Sequence, residues 1–401
     1  MANNFSLAAT ASSIAAAAEP KVGRPAINRI TLLFVLLMLA GLGAGLYAFT
    51  AGHHVAYNNT REMPWGILIA GYAFFAITST GLCLLAALSH IFGGNKLAPL
   101  ANRMVFLSIV TIIAGFFMIG VELENPWRLA IYNILSPNLT SNIWWMGTLY
   151  GMAVGFMLVE FFLILTGRIG LAITLGVMGA LAEVMANTNL GAVFSTLSAH
   201  PFWYGSQLPV FFLASAFMCG SAAIILFTHF AHAIRKEPVE GSTLVGMQGA
   251  GKVLAGVLFL LAVSTTWKFI SYYTGGSEAG RLAADSLLSG PLSTNFWVFE
   301  VAIGMLLPIL LLVGSGFRSI QAMSTASLMA LVGAFFQRYD LVVAGQQVPQ
   351  YYGWDNLPTY FSYVPSAAEF MVTLGAFGLV GAGFLLGERF VGRAFKSTHE
   401  H

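Results

Sequence analysis

Apolar runs of about twenty residues, each ended by a short polar or proline-containing segment, recur along most of the chain. An α-helix rises about 1.5 Å per residue, so roughly 20 apolar residues cross a hydrocarbon core of about 30 Å. The pattern predicts ten such helices, over residues 30–50, 66–90, 104–122, 144–166, 169–187, 209–233, 252–273, 296–316, 319–338 and 367–386. The expected fold class is therefore all-α, a polytopic integral membrane protein with about ten transmembrane helices. Residues 29–390 would form the transmembrane domain, between a flexible cytoplasmic tail at 1–28 and a second cytoplasmic tail at 391–401. The first tail is rich in Ala, Ser and Asn and lacks the basic start and compact apolar core of a signal peptide.

A faint repeat runs through the pattern. Gly81 precedes His90 by the same interval as Gly220 precedes His229, four helices later, and both helices begin just after a proline, Pro64 and Pro209. Helices 2 to 5 and 6 to 9 are thus expected to be two related four-helix bundles, with the remaining helices peripheral.

Composition supports a membrane interior as the main solvent: 57% of residues are hydrophobic and only 8% charged, against about a quarter charged in ordinary soluble domains. A net charge of +2 argues against nucleic acid as a partner. Of the 18 Lys and Arg, thirteen fall on one set of alternate loops, among them Lys21, Arg103, Arg235, Lys236 and Arg393. The other side or its helix ends hold Arg61, Arg128, Lys268, Arg281 and Arg338. Basic residues accumulate on cytoplasmic loops, which puts both termini inside. The opposite loops carry His200, Pro201, Phe202, Trp203 and Tyr204, then Tyr351, Tyr352 and Trp354, read as an interfacial aromatic belt that also docks a partner.

An ionisable group kept in hydrocarbon is a functional hypothesis by default. Glu122, Glu183, Glu300, Asp340 and Glu369 are expected near the outer helix ends with Lys268, and Glu160 toward the cytoplasmic half. Glu369 and Asp340 are equally readable as residues snorkelling to the outer headgroups. The segment from His53 and His54 through Arg61, Glu62 and Pro64 to Trp65 is the most distinctive. Trp65 and Tyr72 share one helix face and form an aromatic wall. A quinone head group suits such a wall, with His53, His54, Arg61, Glu62, Glu122 and Tyr72 available to meet its oxygens, and Trp127 beside Glu122. His90 and His229 are the one pair that could ligate a b-haem. Cys83 and Cys219 cannot hold an iron–sulfur cluster between them, so any cluster belongs to a partner.

The chain resembles the NrfD/PsrC family of membrane quinone-reactive subunits. The likeness lies in Arg61, Glu62, Met63, Pro64, Trp65 and Gly66, followed by Tyr72, Gly81, Ser89, His90, Ile91, Phe92 and Gly93. It continues in Asn125 to Arg128, Asn189 to Gly191, His200 to Tyr204, Arg338, and Tyr363 to Ser366 with Glu369, covering roughly residues 30–390. The helix count is similar to that of the longer, ten-helix branch, which includes hydrogenase and sulfur-metabolism subunits.

The resemblance implies a quinone or quinol (menaquinone or ubiquinone) near the outer face, with no haem or iron–sulfur cluster in the chain itself. It further implies an extracytoplasmic ferredoxin-like iron–sulfur subunit, then a molybdopterin enzyme, hydrogenase or multihaem cytochrome, in the bacterial inner (cytoplasmic) membrane. Where some members have histidine, this chain has Tyr72 in helix 2 and Ala186 and Asn187 in helix 5. The expected pocket is walled by Trp65 and Tyr72, polarised by His54 and Arg61, and served by Glu122 as proton shuttle, with His53, Glu62 and Trp127 in binding roles. A transporter or proton channel, a non-catalytic anchor and a b-haem subunit remain as alternatives.

Overall fold

The computed structural model describes residues 25–91, 96–351 and 356–395. The two expected tails lie largely outside these residues, as do Phe92, Gly93, Tyr352 and Trp354. Among the described residues, 10 helices are long and apolar enough to cross a membrane. In chain order they are α1 Pro25–Ala51, α2 Ile67–Ile91, α3 Ala98–Glu122, α4 Asn142–Leu165, α5 Ile169–Ser195, α6 Gln207–Arg235, α7 Gly241–Gly275, α8 Asn295–Gly314, α9 Ile320–Gln347 and α10 Ala367–Phe390. The ten-helix expectation holds, while several ends move. Helix α5 continues to Ser195 and α9 to Gln347, and α7 begins at Gly241. These extensions are rich in Gly, Asn, Gln, Ser and Thr, which lower hydropathy without breaking a helix whose backbone bonds are all internal.

Helices α2 to α5 close a ring, α2 against α3, α3 against α4, α4 against α5 and α5 against α2. Helices α6 to α9 repeat the same ring, α6 against α7, α7 against α8, α8 against α9 and α9 against α6. We call these bundle 1 and bundle 2. The bundles meet with exchanged partners, since α2 packs on α6, α5 on α6 and α9 on α2. At the α2–α6 crossing the two glycines of the repeat touch: a Cβ on Gly81 would overlap the Ala216 carbonyl, and one on Gly220 would overlap the Gly81 backbone. Lipid offers little hydrophobic drive between helices, so close approach at small residues supplies much of the packing.

Helix α1 lies against α10, and the pair is laid on α2 and α3. On the face of the basic loops, Glu388 of α10 accepts from Arg103 Nε of α3 at 2.9 Å and from Arg235 of α6. All three side chains are buried, and this ion pair ties the peripheral pair to both bundles. Removing one partner would strand a buried charge, which typically costs about 3–5 kcal/mol.

The first part of α8, Asn295–Leu306, is wound as a π-helix, and Pro308 follows at the start of its α-helical remainder. π-Helical turns are rare and concentrate at functional sites.

Gly81→Leu forces the α2 and α6 backbones apart; overpacking costs about 1–3 kcal/mol. We expect a lower thermal midpoint or loss of folded protein in detergent. Gly43→Leu, where a side chain meets nothing within 4 Å, should leave the midpoint unchanged.

Candidate functional site

The entry to α2 divides two polar assemblies on the face opposite the basic loops. On one side lies a hydrogen-bonded knot. The last carbonyls of α3 have no partner inside the helix, and Val121 O is met by His53 Nε2 and by the Tyr57 hydroxyl, each at 3.0 Å. Asn59 Nδ2 donates to Glu122 Oε1 at 2.8 Å. Burial, then the charges of Glu122 and Glu369, hold the Tyr57 hydroxyl well above the ordinary tyrosine value, so it stays a donor.

Glu369 is fully buried. It closes a capping box with Ser366 at the start of α10, and accepts from Asn58 N at 3.0 Å and from the Tyr363 hydroxyl. The snorkelling reading of Glu369 is therefore corrected: every contact holds it inward, locking the α10 entry to the chain ahead of α2. Asp340 is likewise buried, 1% exposed, and does not snorkel.

On the other side of the α2 entry is a cavity of about 500 Å³, lined by Trp65, His200, Trp203 and Gln346 with Asn142 and Thr196. Gln346, at the end of α9, clamps the Trp65 backbone twice, its Oε1 accepting from Trp65 N at 3.0 Å and its Nε2 donating to Trp65 O at 2.9 Å. The Trp65 ring stacks on Trp203 with centroids 5.3 Å apart and meets Phe194 edge-on. Trp203 donates to Leu341 O at 2.7 Å and lies over Gly345, where a Cβ would strike its ring.

His200 Nδ1 lies 2.9 Å from Gly345 O. A carbonyl only accepts, so Nδ1 carries the hydrogen and Nε2 is left as an acceptor. Burial lowers the His200 value below the usual one, with the Gly345 bond opposing, so the ring is neutral near pH 7.

Below the cavity a stripe of polar groups descends inside bundle 1. Residues 72 and 79 lie on one face of α2, with Trp65 just ahead of its start, and 183, 187 and 194 lie on one face of α5. Tyr72 is buried and meets Tyr150 of α4 edge-on, centroids 6.4 Å apart. Glu183, fully buried, accepts from Ser79 at 3.1 Å and from Thr80 at 2.6 Å. With α5 running on to Ser195, Glu183 sits half-way along its helix and not near an outer end. The Tyr150 hydroxyl and both Asn187 amide atoms are buried without hydrogen-bond partners among the described residues.

The predicted site residues are therefore not one pocket. Trp65 lines the cavity and Tyr72 stands in the polar stripe beneath it. His53 and Glu122 belong to the knot on the other side of the α2 entry. His54, Arg61 and Glu62 are exposed, and Trp127 is 55% exposed on the short helix Pro126–Leu135. The candidates missed are Gln346, Asn142 and Tyr150, while His200 and Trp203 were visible only as loop residues. The spacing of Phe194 and Asn187 on α5 was the available signal, hidden by ending that helix early.

Ten membrane helices, eight of them in two matched bundles, with an aromatic and polar cavity at one end, define a polytopic membrane protein. The chain belongs to the family described as Polysulphide reductase, NrfD, which it matches over residues 55–350. It is 22% identical over 386 residues to the "Hdr-like menaquinol oxidoreductase integral membrane subunit" of Archaeoglobus fulgidus, covering 92% of this chain and 94% of that protein. It is 26% identical over 318 residues to the C component of the polysulfide reductase of Wolinella succinogenes, covering 71% and 95%. The C component of the selenate reductase of Mesobacillus selenatarsenatis is 22% identical over 366 residues, covering 80% and 84%.

A histidine held neutral in the fold favours the folded state while it stays neutral. That stability is fully present above the unfolded value, about 6.5, and is lost as pH falls below it toward the lowered folded value. Thermal midpoints should therefore drop less between pH 7 and pH 5 in His200→Asn, whose amide can keep the bond to Gly345 O, than in the parent chain.

Proposed function

We propose that this chain is the quinone- or quinol-interacting membrane subunit of a respiratory oxidoreductase complex. The observation that carries the reading is the cavity beside Trp65, an aromatic wall facing His200, Asn142 and Gln346 in a space of about 500 Å³. Small-molecule sites have this character, a largely apolar hollow with a few placed polar groups. The names of relatives agree with it, one a menaquinol oxidoreductase membrane subunit and the others components of reductases.

A bound quinone, menaquinone or ubiquinone, would supply two-electron, two-proton chemistry. Trp65 and Trp203 give its ring a flat apolar support. His200, with Nδ1–H committed to Gly345 O, offers Nε2 to accept a proton from a ring hydroxyl and return it. Tyr72, Tyr150 and Asn187 extend the polar groups inward toward Glu183, and the unpaired Tyr150 and Asn187 atoms fit a line of exchangeable hydrogen bonds. In this reading Glu122 secures the knot.

Electrons would pass to an iron–sulfur subunit docked on the aromatic face, where Tyr204 and Val364 are 58% and 69% exposed. A molybdopterin enzyme, hydrogenase or multihaem cytochrome would lie beyond it. That face would lie outside the inner membrane, with both termini cytoplasmic, a reading supported by the thirteen-to-five charge bias.

Trp65→Leu and His200→Asn should each weaken binding of a quinol analogue to the purified chain about tenfold, or about 1.4 kcal/mol, and lower quinol-dependent turnover of the assembled complex. Trp127→Phe and Arg61→Gln should bind as the parent does. Unchanged affinity in both cavity variants would overturn the reading.

A further inference from the structure

Bundle 2 holds a second concentration of chemistry that the proposed function leaves unused. Lys268 of α7, Glu300 of α8, and Gln337 and Asp340 of α9 converge on a cavity of about 30 Å³. Gln337 Nε2 donates to Glu300 Oε1 at 3.1 Å, and Asn295 Nδ2 to Asp340 Oδ1 at 3.2 Å. The remaining acceptors, Gln337 Oε1 and Asp340 Oδ2, are buried without partners among the described residues, and so is the Thr265 hydroxyl. Gln337 and Asp340 are 4% and 1% exposed. The Lys268 ammonium rests 3.7 Å from the centroid of the Phe202 ring, a cation–π contact. Buried polar atoms are normally paired, so three orphans around one small space point to a missing partner.

That polar space shares Thr265, Phe269 and Phe296 with a larger cavity of about 620 Å³ between α7 and α8. The larger cavity is lined mainly by aliphatic and aromatic side chains with three threonines, and its Trp297 and Tyr273 are 51% and 48% exposed on the bilayer flank. The π-helical start of α8 closes its bonds five residues on, which brings Phe296 and Val301 onto the cleft while Glu300 reaches the polar end. The matching groove in bundle 1, between α3, the short helix Pro126–Leu135 and α4, has a volume of about 540 Å³, with Asn133 and Thr148 but no ionisable side chain in its wall. An acyl chain would fill either groove equally well. Only the one in bundle 2 adjoins a space lined by Lys268, Glu300 and Asp340, which suits a flat ring with polar oxygens at its edge.

We propose that bundle 2 carries a second site for a lipophilic quinone-class ring, entered from the bilayer between α7 and α8, with a ring oxygen reaching the Lys268, Glu300 and Asp340 cavity. Lys268 can donate to a ring carbonyl, but the orphan amide oxygen Gln337 Oε1 only accepts and needs a donor. The site therefore favours the reduced, hydroxyl-bearing form. The inference rests on the chain taking quinones, and not on the Trp65 cavity being the place.

The test is photolabelling of the full chain in lipid nanodiscs with an azido-quinol analogue, followed by peptide mapping. We expect label on α7 and α8 peptides that excess unlabelled quinol displaces, and that oxidised quinone displaces less well. Ala262→Trp, which fills the cleft, should cut this label at least tenfold while label near Trp65 persists. Gly256→Trp, on α7 where a side chain meets nothing within 4 Å, should leave it intact. Asp340→Asn, should Ala262→Trp not fold, is expected to cut it about fivefold. Label confined to the Trp65 region, or α7 and α8 label that quinol does not displace, overturns the second site alone. Absence of label from both regions overturns the quinone reading together with it.

Discussion

The arrangement depends on the backbone contact between Gly81 of α2 and Gly220 of α6. It lets two helices from different bundles approach more closely than any side chain would permit, and so joins the bundles along their inner faces. As a result α2 is enclosed by α3, α5, α6, α9 and α10, with 94% of its membrane stretch buried. A polar group on such a helix meets neither water nor lipid headgroup and must find a protein or ligand partner. Ser79 and Thr80 find Glu183. Tyr72 finds the ring of Tyr150, and the Trp65 backbone finds Gln346.

The two bundles share a frame and differ in charge. Helices α5 and α9 occupy equivalent places, the first against α2 and the second against α6. Both carry ionisable residues into the core: Glu183 of α5 meets hydroxyls on α2, while α9 brings Asp340 and Arg338, the latter meeting the Ser215 hydroxyl and lying 4.2 Å from the Phe212 ring centroid on α6. Duplication with opposite charge gives each bundle its own electrostatic character, acid-centred in bundle 1 and mixed in bundle 2, where Lys268, Glu300 and Asp340 gather. Buried charges are costly in hydrocarbon, and their retention in both halves sets these interiors apart from the plain apolar packing of α1 on α10.

Much of the fold was legible because membrane helices announce themselves by length and hydropathy, and the matched Gly81–His90 and Gly220–His229 spacings marked the two halves, though not the contact between them. Helix ends were not, since Asn187 to Ser195 and Asp340 to Gln347 are polar enough to resemble loops yet continue as helix. Ending those helices early hid Gln346, which clamps Trp65 beside the cavity, and the Asn187 to Phe194 face of α5. Trp65 and Tyr72 were found from their seven-residue spacing at the start of α2. Gln346 clamps Trp65 from far along the chain, and Tyr363 reaches Glu369 and the start of α2 in the same way. Pairings of that range leave no local periodicity to read. His53 and Glu122 stood out because polar residues are scarce here, and the structure places them in carbonyl-capping and loop-binding contacts apart from the Trp65 cavity, with Glu122 Oε2 buried and without a partner among the described residues.

The central claim is that the ligand of bundle 1 sits between Trp65 and His200, and the most direct measurement is an experimental structure of the protein with a quinol analogue bound. The account predicts ring density against Trp65, with an oxygen within hydrogen-bond distance of His200 Nε2. Ring density in the Glu122 and Asn59 knot, with the Trp65 cavity filled by solvent alone, would contradict it.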